Sequence, residues 1–110
     1  MIEYSEPKNI IIVLDISRSM LAEDIIPNRI ESAKNTIHTF LTQRKNDMIS
    51  LIVFAGKPFL ISPFSDDYTG LTEIVKNMTP YFIRQENPGL SGTAIGDALL
   101  LANMTLSGVP

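Results

Sequence analysis

The 110-residue chain predicts an α/β fold: a doubly wound, mainly parallel sheet with one antiparallel edge strand. Three observations carry this. Two short runs, Ile10–Leu14 and Met48–Ala55, are almost wholly apolar and rich in branched residues, as in strands buried on both faces beneath helices. Between and after them, apolar residues recur at the three- and four-residue spacing of packed helices. A third apolar run, Phe59-Leu60-Ile61, follows the second after Gly56-Lys57-Pro58 and is close enough to fold back as a hairpin. The order β-α-β-β-α-α describes a helix-covered sheet.

Each element has its own local justification. After a polar lead-in, Ile10–Leu14 makes the first strand, and Ile16–Pro27 is a loop in which Glu23 and Asp24 are expected in solvent. Asn28 with Glu31 three residues later is a variant of the capping box. Ile30, Ala33, Ile37, Phe40 and Leu41 then line one side of a helix over Arg29–Arg44, leaving Glu31, Lys34, Asn35 and Arg44 on its polar face. Lys45-Asn46-Asp47 breaks that helix before the second strand. Pro63 suits the end of an edge strand, where a missing N–H does no harm. Ser65 or Asp66 is placed to cap the next helix, in which Tyr68, Leu71, Ile74, Val75 and Met78 share a side, and Asp67 is read with Asp66 as a capping residue. Gly70 weakens this helix by about 1 kcal/mol relative to alanine. Thr79–Gly92 reads as a loop whose Tyr81, Phe82 and Ile83 are apolar enough to pack on the body. Ile95, Ala98, Leu99, Ala102 and Leu106 mark the last helix, and Ser107-Gly108-Val109-Pro110 ends it.

The bulk numbers set limits. A chain of this length is a single domain. The formal charge of −3 and the absence of any basic cluster leave phosphate-backbone binding nothing to rest on, so nucleic acid is not an expected partner. With no cysteine, disulfides, thiolate chemistry and zinc–thiolate sites are excluded. The longest apolar runs fall far short of the roughly 20 residues that span a bilayer. The N-terminus lacks the basic start and apolar continuation of a signal peptide. A soluble chain is expected.

The chemistry concentrates where the first strand ends. Asp15, Ser17 and Ser19 emerge together at the carboxyl end of a buried strand, where open α/β sheets bind ligands. One carboxylate and two hydroxyls are hard oxygen donors, suited to Mg²⁺, Mn²⁺ or Ca²⁺. The alternative is a loop whose Ser and Asp side chains bond local backbone.

Asp15-Ile16-Ser17-Arg18-Ser19-Met20 resembles the metal-ion-dependent adhesion site of von Willebrand factor type A domains. The match continues through Leu21–Arg29, then Val53-Phe54-Ala55-Gly56, then Gly92–Leu99, and that combination is similar to the bacterial Bat-type, aerotolerance-related branch. The resemblance implies a Rossmann-like fold with Mg²⁺ or Mn²⁺ at the top of the sheet. It makes Ser17 and Ser19 direct ligands, Asp15 an acid acting directly or through water, and Thr93 a ligand from a second loop. It further implies a coordination position left for a carboxylate from a protein partner. A parent protein anchored in the bacterial inner membrane and partnership with a MoxR-type AAA+ ATPase follow from the same resemblance. Arg18 stands where many relatives have glycine, and its side chain is expected to point away from the ion.

The family pattern continues into another strand ending in an aspartate that completes the site. Here that strand would lie beyond Pro110, so residues 1–110 read as one domain, incomplete at its C-terminal side. Two expectations follow. Metal binding is weak, about millimolar or weaker, because an anionic ligand is missing. The first strand, normally central, has an open apolar edge through which two chains could join as a homodimer.

Other roles for the same residues stay open. Thr93 stands where the last helix wants an N-cap, and Asp97 in that helix's first turn would favour the dipole. His38, the one histidine, falls off its helix's apolar stripe and has no catalytic part. An aspartate nucleophile for phosphoryl transfer would want a second acid two positions on, where Ser17 stands. No phosphate-binding glycine loop or Gly-x-Ser-x-Gly elbow is present. A non-enzymatic, metal-assisted protein-binding module is therefore expected, with a structural interaction domain carrying a vestigial metal site as the alternative.

Overall fold

Strand β1 (Asn9–Asp15) runs parallel to β2 (Met48–Phe54), from Asn9 opposite Met48 to Asp15 opposite Phe54. Strand β3 (Pro58–Ser65) returns antiparallel to β2, giving the order β1-β2-β3. The structure, a computed structural model, describes residues 7–82 and the helix Ser91–Ser107, whose side chains are described over 96–106. Among the described residues three α-helices cover the sheet: α1 (Arg29–Thr42), α2 (Tyr68–Lys76) and α3 (Ser91–Ser107). The mixed sheet with helices on both faces is the predicted α/β class.

Position in the sheet decides burial. From Ile49 onward every residue of the central strand β2 is buried. In β1 only Leu14 is, whereas burial on both faces is expected from its sequence. The reason is pairing: among the described residues β1 has a neighbour on one side, so Ile10–Val13 are shielded by helices above and below but open along the edge. Alternation sorts the strand's side chains between the two layers. Ile12 and Leu14 join the clusters beneath α1 and α2, with Ile30, Leu41, Leu71 and Val75; Ile11 and Val13 face α3 and pack with Ile52, Phe54 and Ala98.

The other edge is irregular. Pro63 lies inside β3 rather than at its end, at the register shifts between Ile49 and Ile52, where a strand residue without N–H is tolerated. Beside it the buried Ser50 hydroxyl donates to the Ser62 carbonyl at 2.7 Å. Gly56 makes the tight turn between β2 and β3 with φ +79°, a left-handed conformation that favours glycine.

Helix ends are set by short side chains. The Asn28 carboxamide oxygen accepts from Glu31 N at 2.9 Å, as the capping pattern predicts. For α2 the cap is Asp67, one of the expected capping residues, rather than Ser65 or Asp66; its carboxylate accepts from Gly70 N at 3.0 Å, while Ser65 Oγ accepts from Asp67 N. Gly70 has a use that its helix propensity hides, because a Cβ there would collide with the Asp67 carboxylate.

Four placements differ from expectation. Lys34, assigned to the polar face of α1, is buried: its ammonium donates to the Lys76 carbonyl at 3.0 Å and to Glu31 at 3.3 Å. A lysine stem is long enough to cross to α2, whose final carbonyls have no partner within their own helix. Tyr81 and Phe82, expected to pack, are mostly exposed; Ile83 lies outside the described residues. Helix α3 begins at Ser91, so Thr93 is within the helix rather than its N-cap, and Asp97 stands beyond the first turn. Finally, Leu99 and Leu106 are exposed on α3, and it is Ala98, Leu101 and Ala102 that meet the sheet.

Candidate metal site at the carboxyl end of the first strand

The site begins where pairing stops. Ile16 N donates to Phe54 O at 2.9 Å, the last backbone bond between the segments, and the fully buried Ile16 side chain anchors the exit from β1. Asp15 then turns back on the chain, its Oδ1 accepting from Ser17 N at 2.8 Å. Arg18–Leu21 forms a single 3₁₀ turn that begins directly after Ser17, with Met20 N donating to Ser17 O. This turn, absent from the sequence-based reading, winds the chain tightly enough to bring alternate side chains together. Ser17 Oγ and Ser19 Oγ are 2.9 Å apart, Ser17 half-buried and Ser19 exposed.

The predicted trio Asp15, Ser17 and Ser19 is thus assembled at one strand end. Two neighbouring ligands of a six-coordinate ion with bonds of about 2.0–2.1 Å stand about 2.9 Å apart, so the hydroxyl pair fits a small, hard cation. Without an ion the same spacing serves a hydrogen bond between the two hydroxyls. Among the described residues no group of three or more His, Cys, Asp or Glu could hold a metal, so this donor set is rich in hydroxyls and poor in charge. The backbone of Thr93 lies in α3, but its side chain is outside the described ones. The same helix reaches the site end of the sheet, since Ala98 shares a buried cluster with Phe54, the ladder partner of Asp15.

The loop beyond the 3₁₀ turn is more ordered than a solvated acidic stretch. Asp24 receives two bonds from the Arg29 guanidinium, at 2.8 and 2.7 Å. These hydrogen bonds, followed by charge attraction, hold the Asp24 carboxyl below its ordinary range and raise Arg29. Arg29 N also donates to Ala22 O at 3.0 Å, closing residues 22–29 into a loop. The sequence signal for this clamp is faint: an acid and an arginine five apart across a proline.

One further concavity, of about 440 Å³, lies between α1 and α2 and is lined by Lys34, His38, Glu73 and Lys76 among others. His38 is exposed there, as expected of a surface residue.

Known proteins place this arrangement. The family model for the von Willebrand factor type A domain matches residues 10–110. Among solved structures, the conserved hypothetical protein BatB from Bacteroides thetaiotaomicron superposes with a TM-score of 0.78 at 35% identity, covering 91% of this chain and 46% of that one. An aerotolerance-related membrane protein from Bacteroides fragilis gives 0.78 at 36% identity, with the same coverages of 91% and 46%. An uncharacterized membrane-spanning protein from Vibrio fischeri gives 0.81 at 27% identity over 96% of this chain and 52% of that one. A UPF0353 protein of Mycolicibacterium paratuberculosis is 29% identical over 105 residues, 92% of this chain and 29% of the relative. The chain thus spans about half of these solved chains and under a third of that curated relative. Asp15, Ser17 and Ser19 lie within the matched region, on a fold shared with the Bat-type proteins, and the chain belongs to the von Willebrand factor type A domain family.

Proposed function

We propose that the domain is a divalent-metal-dependent protein-binding module, in which Asp15, Ser17, Ser19 and Thr93 hold Mg²⁺ or Mn²⁺ and a carboxylate of the partner completes the set. The observation that carries this reading is the 2.9 Å hydroxyl pair of Ser17 and Ser19 beside the Asp15 carboxylate. A bound ion supplies an electrophilic position for a partner's Asp or Glu. The chain's own residues do the rest. Buried Ile16 fixes the strand exit, the Ser17 N–H orients the Asp15 carboxylate, and the 3₁₀ turn holds the two hydroxyls side by side. Two neutral hydroxyls and one acid in this cluster give little charge to retain a hard cation, which supports weak metal affinity. Among the described residues no activated nucleophile and base stand together at this site, which supports binding as the reading.

Isothermal titration of the full chain with Mg²⁺ and Mn²⁺ tests it. Millimolar-range binding lost in Asp15→Ala and Ser17→Ala is expected. Binding unchanged by Asp15→Ala would overturn the site, and no metal response at all would favour an interaction domain with a vestigial site. Phosphatase turnover that needs Mg²⁺ and disappears in Asp15→Asn would replace the binding reading with catalysis.

The partner and its setting are inferred from the Bat-type likeness: a MoxR-type AAA+ ATPase, met by a parent protein anchored in the bacterial inner membrane. Two of the solved neighbours are named membrane proteins, one aerotolerance-related and one membrane-spanning. Among the described residues of this chain no helix is long and apolar enough to cross a membrane. A second association is a homodimer through the edge of β1, whose apolar strand has a free side among the described residues. Light scattering at high concentration checks it; a stable monomer would count against it.

A further inference from the structure

The loop that follows the metal-site turn carries an apolar tip that folding does not use. Ile26 is 91% exposed and Ile25 49%, so neither supports the core. A flexible loop would let such side chains fold back on the body, but this one is held at several points. Arg29 N bonds Ala22 O across its base, the Arg29 guanidinium grips Asp24 with two bonds, and Asn28 ties its exit to the first turn of α1. Adjacent exposed isoleucines on a braced loop present apolar surface in a fixed conformation, the condition under which little freedom is lost on docking. The loop's position matters equally. It leaves the 3₁₀ turn bearing Ser19 and enters the N-terminus of α1, so its tip stands at the same end of the sheet as Asp15, Ser17 and Ser19.

We propose that Ile25 and Ile26 form an apolar anchor beside the metal site, docking into a hydrophobic pocket of the protein partner that also offers the carboxylate. The partner surface is thus an Asp or Glu side chain flanked by an apolar recess. A central apolar contact with a polar, charge-bearing neighbour is the usual distribution of energy in protein interfaces. A lipid surface is the less suitable occupant, because the loop carries the acids Glu23 and Asp24 and its one arginine is engaged by Asp24, whereas anionic membranes draw basic clusters. The inference rests on the metal-dependent binding proposed above for its carboxylate half.

The test selects displayed peptides, each with a fixed central aspartate and random flanks, on the full chain in Mg²⁺. Peptides whose binding is lost with chelator are expected to carry an apolar residue near the aspartate. They should bind an Ile25→Ser/Ile26→Ser variant at least about tenfold more weakly, since two apolar contacts are removed. Both side chains are exposed, so thermal unfolding and the Mg²⁺ titration of that variant should match the parent. Asp24→Ala, which loosens the loop but keeps both isoleucines, should weaken binding by a smaller factor. Chelator-sensitive peptides that bind the serine variant as tightly as the parent overturn the anchor and leave the metal site standing. Peptides that need the isoleucines but bind equally to Asp15→Ala keep the anchor and overturn the metal reading. Recovery of no chelator-sensitive peptide, or Ile26-dependent binding to phosphatidylglycerol vesicles, overturns the proposal.

Discussion

The two faces of the sheet are finished to different degrees. Beneath α1 and α2 the side chains of Leu14, Ile30, Leu41, Leu51, Leu71 and Val75 are all buried, and a lysine stem crosses between the helices to seal them. On the opposite face α3 meets the sheet through Ala98, Leu101 and Ala102. It turns Leu99, Leu100 and Met104 outward, each about 60% exposed. The difference teaches how an apolar composition should be read. On α1 apolar residues form a stripe and the polar ones the surface, whereas α3 is apolar on both sides, as in a helix covered from both sides. Exposed apolar rows on a helix mark contact surfaces.

The largest expected contrast comes from matched truncations. Leu41→Ala, in the closed face, should cost about 2–5 kcal/mol in urea unfolding, the range for a buried leucine whose cavity does not collapse. Leu100→Ala on the outer side of α3 should change stability by about 0.5 kcal/mol or less. If the second loss approached the first, the outer side of α3 would be packed in solution, most simply against another copy, and the asymmetry of the faces would vanish.

Next in size is the bridge that closes the better face. Lys34→Ala removes the donor to the Lys76 carbonyl and opens the groove between α1 and α2, with an expected loss of about 1–3 kcal/mol. The predicted signature is local: amide exchange should accelerate in the last turn of α2 more than in β2. Uniform acceleration would mean that Lys34 serves the core as a whole rather than the helix end. Its partner Glu31 is half-exposed and 3.3 Å away, so Glu31→Gln should have a much smaller effect.

This pair also shows what was legible from sequence. The Asn28 cap was readable because donor and acceptor are three residues apart, and Asp15, Ser17 and Ser19 because one short turn gathers alternate residues. Helical periodicity locates α1, α2 and α3, and apolar runs locate β1 and β2. Lys34 was not readable, since its acceptor lies 42 residues away and exists only after α2 has docked. The exposure of Tyr81 and Phe82 was hidden for the same kind of reason: apolar composition reports a preference for burial, not whether a neighbour is in reach. Periodicity likewise assigned Leu99 to the sheet side of α3, because a helix apolar on both sides gives no phase to read.

A smaller effect separates cap from propensity in α2. Asp67→Ala should cost about 1 kcal/mol, the usual value for an N-cap carboxylate bonded to backbone N–H. Gly70→Ala would gain helix propensity of similar size, but its methyl group meets the Asp67 carboxylate and displaces the cap. The two contributions should nearly cancel. A clear gain in thermal stability for Gly70→Ala would show that the cap relaxes at no cost.

The smallest effect is confined to the loop beside the candidate metal site. In the folded chain the Asp24 carboxyl is held below its ordinary value of 3.8, chiefly by hydrogen bonds from Arg29. A depressed folded pKa means that the unfolded chain takes up its proton first as pH falls. The clamp's contribution is therefore complete well above pH 3.8 and disappears as pH drops through the lower folded value. Arg29 stays charged throughout this window, so Asp24 alone governs the change. Both partners face solvent, and salt should screen their attraction. A carboxyl-detected NMR titration should place the Asp24 midpoint below that of an unpaired aspartate, with the Ile26 methyl shifts following the same curve while those of Leu41 do not. In Arg29→Gln the Asp24 midpoint should return toward its ordinary value. If the Ile26 methyls titrate with some other group, the Asp24–Arg29 clamp is not what shapes the tip. The bracing of the loop would then rest on the Ala22–Arg29 backbone bond and the Asn28 cap.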